Sequence, residues 1–168
     1  GVAGRALELG AVGPACLTLG TVAFEYFDLD EAVETVLADF AAVYPKRAED
    51  VRVSGPDGVW VRADRSGLAR ILGNLLDNAG KFTEEGTMIR VSWRDCGDGR
   101  VRITVADEGS GIPARERRRI FRRYQRGTKS ADDVSGTGIG LSVVRELARA
   151  MNGSVGLVDH TISPMAEI

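Results

Sequence analysis

Asn74, Asn78 and Lys81 stand at i, i+4 and i+7 within the run Leu72-Gly73-Asn74-Leu75-Leu76-Asp77-Asn78-Ala79-Gly80-Lys81-Phe82-Thr83. On a helix that turns about 100° per residue they share a stripe about 60° wide. Two amides and an ammonium then look outward together, beside an apolar stripe of Leu68, Ile71, Leu72, Leu75, Leu76 and Ala79. An amide oxygen can ligate a hard cation such as Mg2+, which proteins usually hold together with substrate phosphates. A lysine one turn away can meet a phosphate oxygen. The same residues also suit a plain solvated helix face, so the stripe takes its meaning from what surrounds it.

A second group is Asp107-Glu108-Gly109-Ser110-Gly111. Val101, Ile103 and Val105 alternate onto one strand face, and period two puts Asp107 on the same face. A carboxylate at the core-facing end of a strand is costly unless something donates to it. An amino group can, and the exocyclic amine of adenine is one candidate. Gly109 and Gly111 let the backbone approach a flat ligand closely. A third group, Gly136-Thr137-Gly138-Ile139-Gly140-Leu141, opens a helix, where backbone amides and the helix dipole favour phosphate. It lacks the lysine of the G-x-x-x-x-G-K-[ST] loop, and no strand precedes it as the dinucleotide fingerprint requires.

Charge adds a fourth feature. The 168 residues carry 22 basic and 24 acidic side chains, a net of −2. Residues 115–126 alone hold seven arginines against one glutamate, net +6, on a remainder of net −8. A cationic segment on an anionic body suits phosphate or an acidic partner, as well as a solvated helix face.

Several elements must position these groups. Asp28 and Glu31 resemble a capping box for a helix whose stripe is Leu29, Val33, Val36, Leu37, Phe40 and Val43, ending before Pro45. Val51–Val53 and Val59–Ala63 flank the turn-rich Ser54-Gly55-Pro56-Asp57-Gly58 and read as a hairpin. A second helix is expected over 66–81, then a hairpin of 88–95 with 100–106. A polar loop spans 127–135. A third helix, marked by Leu141, Val144, Leu147 and Met151, stops at Asn152-Gly153 before a strand from Val155. Residues 1–26, rich in Gly and Ala at their start, read as an arm or linker. The order implies an α+β fold: a two-layer sandwich with helices on one face of a mixed sheet.

Composition closes off other classes. Hydrophobic residues at 43% and charged residues at 27% describe a globular chain, not a disordered one. Cys16 and Cys96 cannot make a disulfide framework or a four-thiolate metal site, and His160 is the one histidine. Nearly balanced charge argues against a general nucleic-acid binder. The most apolar stretch, Leu9 to Phe24, is broken by Gly10, Gly13, Pro14, Thr18, Gly20 and Thr21, so no membrane insertion is expected. A cytoplasmic location is the expectation, with attachment at the membrane through a partner or a further segment as the alternative.

The order of the four groups resembles the catalytic, ATP-binding domain of two-component sensor histidine kinases. That domain belongs to the superfamily shared with type II topoisomerase, chaperone and mismatch-repair ATPases. The likeness covers residues 27–158, with 159–168 a divergent tail. Leu72 to Thr83 is similar to the family's N box, Asp107 to Pro113 to its G1 box, Ile120 to Arg126 to its F box, and Gly136 to Val144 to its G2 box. The resemblance implies that Asp107 binds adenine and Asn78 holds Mg2+, with Asn74 and Lys81 assisting at the phosphates of ATP. It places Gly109, Gly111, Ile112, Gly136, Thr137, Gly138, Gly140 and Leu141 around the nucleotide. Arg126, with Arg123, would reach the γ-phosphate from a mobile lid over 114–135. Asn74, Lys81 and Arg126 would be the catalytic set. Hydrolytic members of the superfamily carry a glutamate where this chain has Asn74, and an amide cannot take a proton from water. Slow hydrolysis and transfer to a protein acceptor are therefore expected, and the resemblance implies that the acceptor is a histidine.

Departures from the pattern qualify the partners. No histidine precedes Asp28, so the acceptor is expected on a separate histidine-containing dimerisation and phosphotransfer domain, in trans or on another part of a longer chain, and through it a response regulator. Arg122 and Tyr124 stand where the family favours glutamate and phenylalanine. After Val158 the family's final strand is not recognisable, which would leave an open sheet edge. Two alternatives remain: a stand-alone serine kinase of the anti-sigma type, and a nucleotide-binding partner module without transfer activity.

Overall fold

The computed structural model describes residues 3–10, 22–122 and 140–159, with the backbone alone for 3–10 and 159. Strand β1 (Ala3–Gly10) and strand β2 (Phe24–Asp28) precede helix α1 (Leu29–Val43) and the single turn α2 (Pro45–Ala48). Strands β3 (Val51–Ser54) and β4 (Trp60–Asp64) lead to the long helix α3 (Arg65–Phe82). Strands β5 (Ile89–Asp95) and β6 (Arg100–Asp107), helix α4 (Gly140–Ala150) and strand β7 (Ser154–Asp159) complete the set.

Five strands form one mixed sheet in the order β3-β5-β6-β1-β7, in which β3 and β5 run parallel and the other neighbours antiparallel. β2 and β4 form a separate two-stranded ribbon. On β5, Ile89, Val91 and Trp93 are buried while Arg90 and Arg94 are exposed, as one covered face requires. The cover is helical: α3 packs between α1 and α4, and Leu68, Ile71, Leu72, Leu75, Leu76 and Ala79 join Ile103 and Val105 in one core. Burying each such leucine contributes about 1.5–3 kcal/mol. The α+β sandwich is the one the sequence implies.

Local chemistry explains the boundaries. Asp28 caps α1, its Oδ1 accepting the Asp30 N–H at 2.9 Å. Glu31 does not close the capping box; its carboxylate pairs with Arg65 at 3.0 Å instead. α1 stops at Val43, two positions before Pro45, with Tyr44 as its C-cap. The β5–β6 hairpin turns through Gly97 and Gly99, both at positive φ, which glycine adopts without steric cost. α4 ends where the Gly153 N–H reaches the Ala148 carbonyl at 2.8 Å, and Asn152 rather than Gly153 takes the left-handed φ of 59°.

Two expectations are corrected. Val51–Val53 and Val59–Ala63 do not pair with each other: β3 joins β5 in parallel and β4 joins β2. The intervening turn residues lie over Trp93 instead, whose indole N–H donates to the Pro56 carbonyl at 3.0 Å. Residues 3–10 are not an arm. They lie between β6 and β7 and pair with both, in register from Gly4↔Ala106 to Gly10↔Arg100 and from Ala3↔Asp159 to Glu8↔Ser154. Backbone pairing on two sides outweighs a composition poor in β-formers, because ladder hydrogen bonds do not depend on side-chain type. A strand therefore does lie against β7, supplied from the N-terminal side.

Candidate functional site

α3 is the spine of the site. Its start is fixed by Asp64, whose Oδ1 accepts the Gly67 N–H at 3.0 Å and the Ser66 hydroxyl at 2.8 Å. The Ala23 N–H donates to Oδ2 of the same carboxylate at 3.2 Å. Burial by itself raises the Asp64 pKa, but these donors outweigh it and hold the carboxyl below its ordinary 3.8. With the inner face of α3 fixed in the core, Asn74 and Asn78 lie half-buried and Lys81 exposed on the remaining side.

Two of the other groups meet this helix. A Cβ built on Gly140, the first residue of α4, would lie 3.7 Å from Asn74 Oδ1, so the start of α4 abuts the first asparagine. At the other end, a Cβ on Gly109 would stand 3.1 Å from Thr83 Cγ2 and 3.6 Å from the Phe82 carbonyl. The glycine turn after β6 thus closes on the C-terminus of α3, an approach that any side chain would obstruct. Asp107 is buried, with 9% of its surface exposed. Its Oδ1 accepts the Gly109 N–H at 3.0 Å, which leaves Oδ2 to accept from a ligand. Gly111, at φ 75°, and Ile112 continue this wall, both half-buried. The Ile112 carbonyl takes a hydrogen bond from Arg117 Nε at 3.1 Å. Glu108 turns the other way, and its carboxylate accepts the Met88 N–H at 3.0 Å. Leu141 packs against the core.

The remaining sequence-derived residues, Arg123, Arg126, Gly136, Thr137 and Gly138, lie outside the described residues, as do Tyr124 and most of the expected lid. Within 114–122 the chain makes successive turns with Arg115, Arg117, Arg118, Arg119 and Arg122 exposed and Ile120 and Phe121 half-buried. Among the described residues no three His, Cys, Asp or Glu side chains gather as a metal site. A cation here would lean on amide and ligand oxygens, which suits Mg2+.

Sequence reasoning missed the supports of this site. Arg47, 4% exposed, donates to Asp50, to the Thr83 hydroxyl at 2.6 Å and to the Glu84 carbonyl at 2.6 Å. It clamps the end of α3 on which Gly109 rests. Tyr44 donates its hydroxyl to Asp77, and Asp77 pairs with Lys81 at 2.9 Å. The i, i+4 spacing of Asp77 and Lys81 was a legible signal. The reach of Arg47 and Tyr44 across more than thirty positions was not.

The sequence matches the family described as Histidine kinase-, DNA gyrase B-, and HSP90-like ATPase over residues 63–164. The chain belongs to this family. As a domain of this ATPase family it binds ATP, and its relatives narrow the branch. It is 33% identical over 137 residues to the sensor protein kinase CarS of Pseudomonas aeruginosa, covering 82% of this chain and 29% of CarS. Its fold is similar to the mycobacterial sensor histidine kinase MprB, with a TM-score of 0.66, 25% identity, and coverage of 80% of this chain and 95% of that one. Full-length ShkA, solved in complex with AMPPNP, aligns with a TM-score of 0.60 and 26% identity over 83% of this chain and 31% of ShkA. The ATPase-family domain thus spans under a third of CarS, and its fold is that of histidine kinase catalytic domains.

Proposed function

We propose that this domain transfers the γ-phosphoryl group of Mg-ATP to a histidine on a separate helical domain. The observation that carries the reading is the convergence on α3: the glycine turn bearing buried Asp107 rests on one end, and the start of α4 rests on Asn74. A nucleotide laid along the helix would set its purine amine against Asp107 and its phosphates along Asn78, Lys81 and Asn74. Gly109, Gly111 and Ile112 would flank the base, and Gly140 would bring the α4 amides toward the phosphates. Mg2+ fits the donor set, with Asn78 its protein ligand; when bound it would neutralise phosphate charge. Arg126 and Arg123, with the glycines at 136 and 138 and Thr137, complete the phosphate end in this reading. Leu141, packed against the core at the helix start, would lie beside the nucleotide.

The chemistry is transfer and not hydrolysis because residue 74 is an amide. Asn74 can orient a group by hydrogen bonds but cannot act as a base toward water. Catalysis then rests on positioning and on cations around the transferred group. The acceptor histidine belongs to a dimerisation and phosphotransfer domain, carried on a longer polypeptide or a partner chain, and a response regulator receives the phosphoryl group from it. ATP as the donor accords with a cytoplasmic site.

Calorimetry with Mg-ATP tests the pocket. Asp107→Asn and Asn78→Ala should each weaken binding by about tenfold or more, as expected when a charged or metal-ligating partner is removed. Unchanged binding in both variants overturns the assignment. Acid-labile label on an added acceptor domain supports phosphohistidine, whereas acid-stable label supports the serine-kinase alternative.

A further inference from the structure

The rung of α3 contains a fourth polar residue that the proposed transfer does not use. Asp77 lies between Asn74 and Asn78 in sequence, and both of its oxygens are engaged. Oδ1 accepts the Tyr44 hydroxyl at 2.5 Å, and Oδ2 pairs with Lys81 Nζ at 2.9 Å. Tyr44 is itself fixed. Its ring lies 5.1 Å from that of Phe40, and Gly80 opens the surface of α3 to both rings. A Cβ on Gly80 would come within 3.2 Å of Phe40 Cε2 and 3.7 Å of Tyr44 Cδ2. The C-terminal end of α1 thus reaches over α3 to hold a carboxylate against the one lysine of the helix.

The Lys81–Asp77 ion pair itself adds little stability. The Lys81 and Asp77 side chains are 33% and 40% exposed, and such pairs contribute only about 0–1 kcal/mol. The consequence is electrostatic and local. Lys81 is the cation of the rung, and Asp77 neutralises it. A phosphate that approaches Lys81 meets a competing anion already hydrogen-bonded to the same ammonium.

We infer that Asp77, oriented by Tyr44, is a positioning residue that restrains Lys81 and makes phosphate binding depend on displacing it. This rests on the reading that Lys81 faces the phosphates. The restraint lowers affinity for the phosphate tail and leaves the base untouched. It keeps ADP, which bears phosphates but no transferable group, from being held too tightly after transfer.

The test is a double-mutant cycle on the 168-residue chain, with Mg-ATP, Mg-ADP and adenosine as probes. Asp77→Asn should tighten ATP and ADP about two- to fivefold, the range expected for one partly exposed charge pair. Tyr44→Phe should act in the same direction by a smaller factor. Neither should alter adenosine, and both effects should vanish in a Lys81→Met background. Thermal melts identify any variant that is merely unfolded. Weaker or unchanged ATP binding in Asp77→Asn overturns the inference, as does an effect that persists without Lys81 or extends equally to adenosine. Asp107→Asn and Asn78→Ala run alongside. If they fail to weaken ATP, the site itself is wrong; if they weaken it and Asp77→Asn does not tighten it, only the restraint is wrong.

Discussion

Tyr44 shows how a single side chain couples the site to pH. Its phenol is pushed up from 10.0 to about 12, first by burial and then by the Asp77 carboxylate that accepts its proton. The neutral form is the one favoured in the folded protein. The stability this contributes is complete below pH 10 and is lost as pH rises through about 12. Tyr44→Phe has no proton to lose, so its stability should fall less than that of the parent over this window in urea melts at stepped alkaline pH. A parent and variant that decline in parallel would remove Tyr44 from the account. Asp107 and Tyr44 also mark what a sequence can reveal at this scale. Period-two alternation on one strand suffices to place Asp107 at the core edge. No local pattern announces that Tyr44, just past the end of a helix, touches a residue 33 positions away.

At the scale of elements, α3 matters most, because it carries Asn74, Asp77, Asn78 and Lys81 in fixed relation. Its first turn depends on Asp64. Replacing an N-cap aspartate by alanine costs about 0.5–2 kcal/mol, and three donors converge here, so Asp64→Ala should lie in the upper half of that range. The pKa of Asp64 is depressed, so its contribution is present above pH 3.8 and lost as pH falls through the folded value. The deficit of Asp64→Ala should therefore shrink in acid, which urea titrations at neutral and acidic pH would show. The helix was legible because its apolar stripe and polar rung occupy different faces of one long period. The pairing of the two strands before it was not. Ser54 to Gly58 carries strong local turn chemistry, yet β3 and β4 each find a better partner elsewhere, β5 and β2, and the turn is used to cross Trp93. Gly55 is where that crossing is tightest: a Cβ would overlap the Trp93 indole. Gly55→Val should destabilise by about 1–3 kcal/mol through overpacking, read from the denaturant midpoint.

For the molecule as a whole, the order of the sheet makes a demand that composition hides. β1 lies between β6 and β7, so the strand that follows the site helix α4 is tied to the sheet through residues 3–10. The segment reads AGRALELG, with two glycines and two alanines and no β-branched residue, and nothing in it announces a strand. Its partners begin at Arg100 and Ser154, so the pairing is non-local and leaves no short-range trace. Deleting residues 1–10 should separate β7 from β6 and leave an unpaired edge on each. The expected loss exceeds about 2 kcal/mol, well beyond what removal of a surface arm would cost. Concentration-dependent association should accompany it, because open strands template pairing with other chains. Urea melts combined with sedimentation at several concentrations separate the two views. An unchanged midpoint and a monomer at every concentration would return residues 3–10 to the status of an arm. A lowered midpoint with ATP affinity preserved would show that β1 holds the sheet together without entering the pocket on α3.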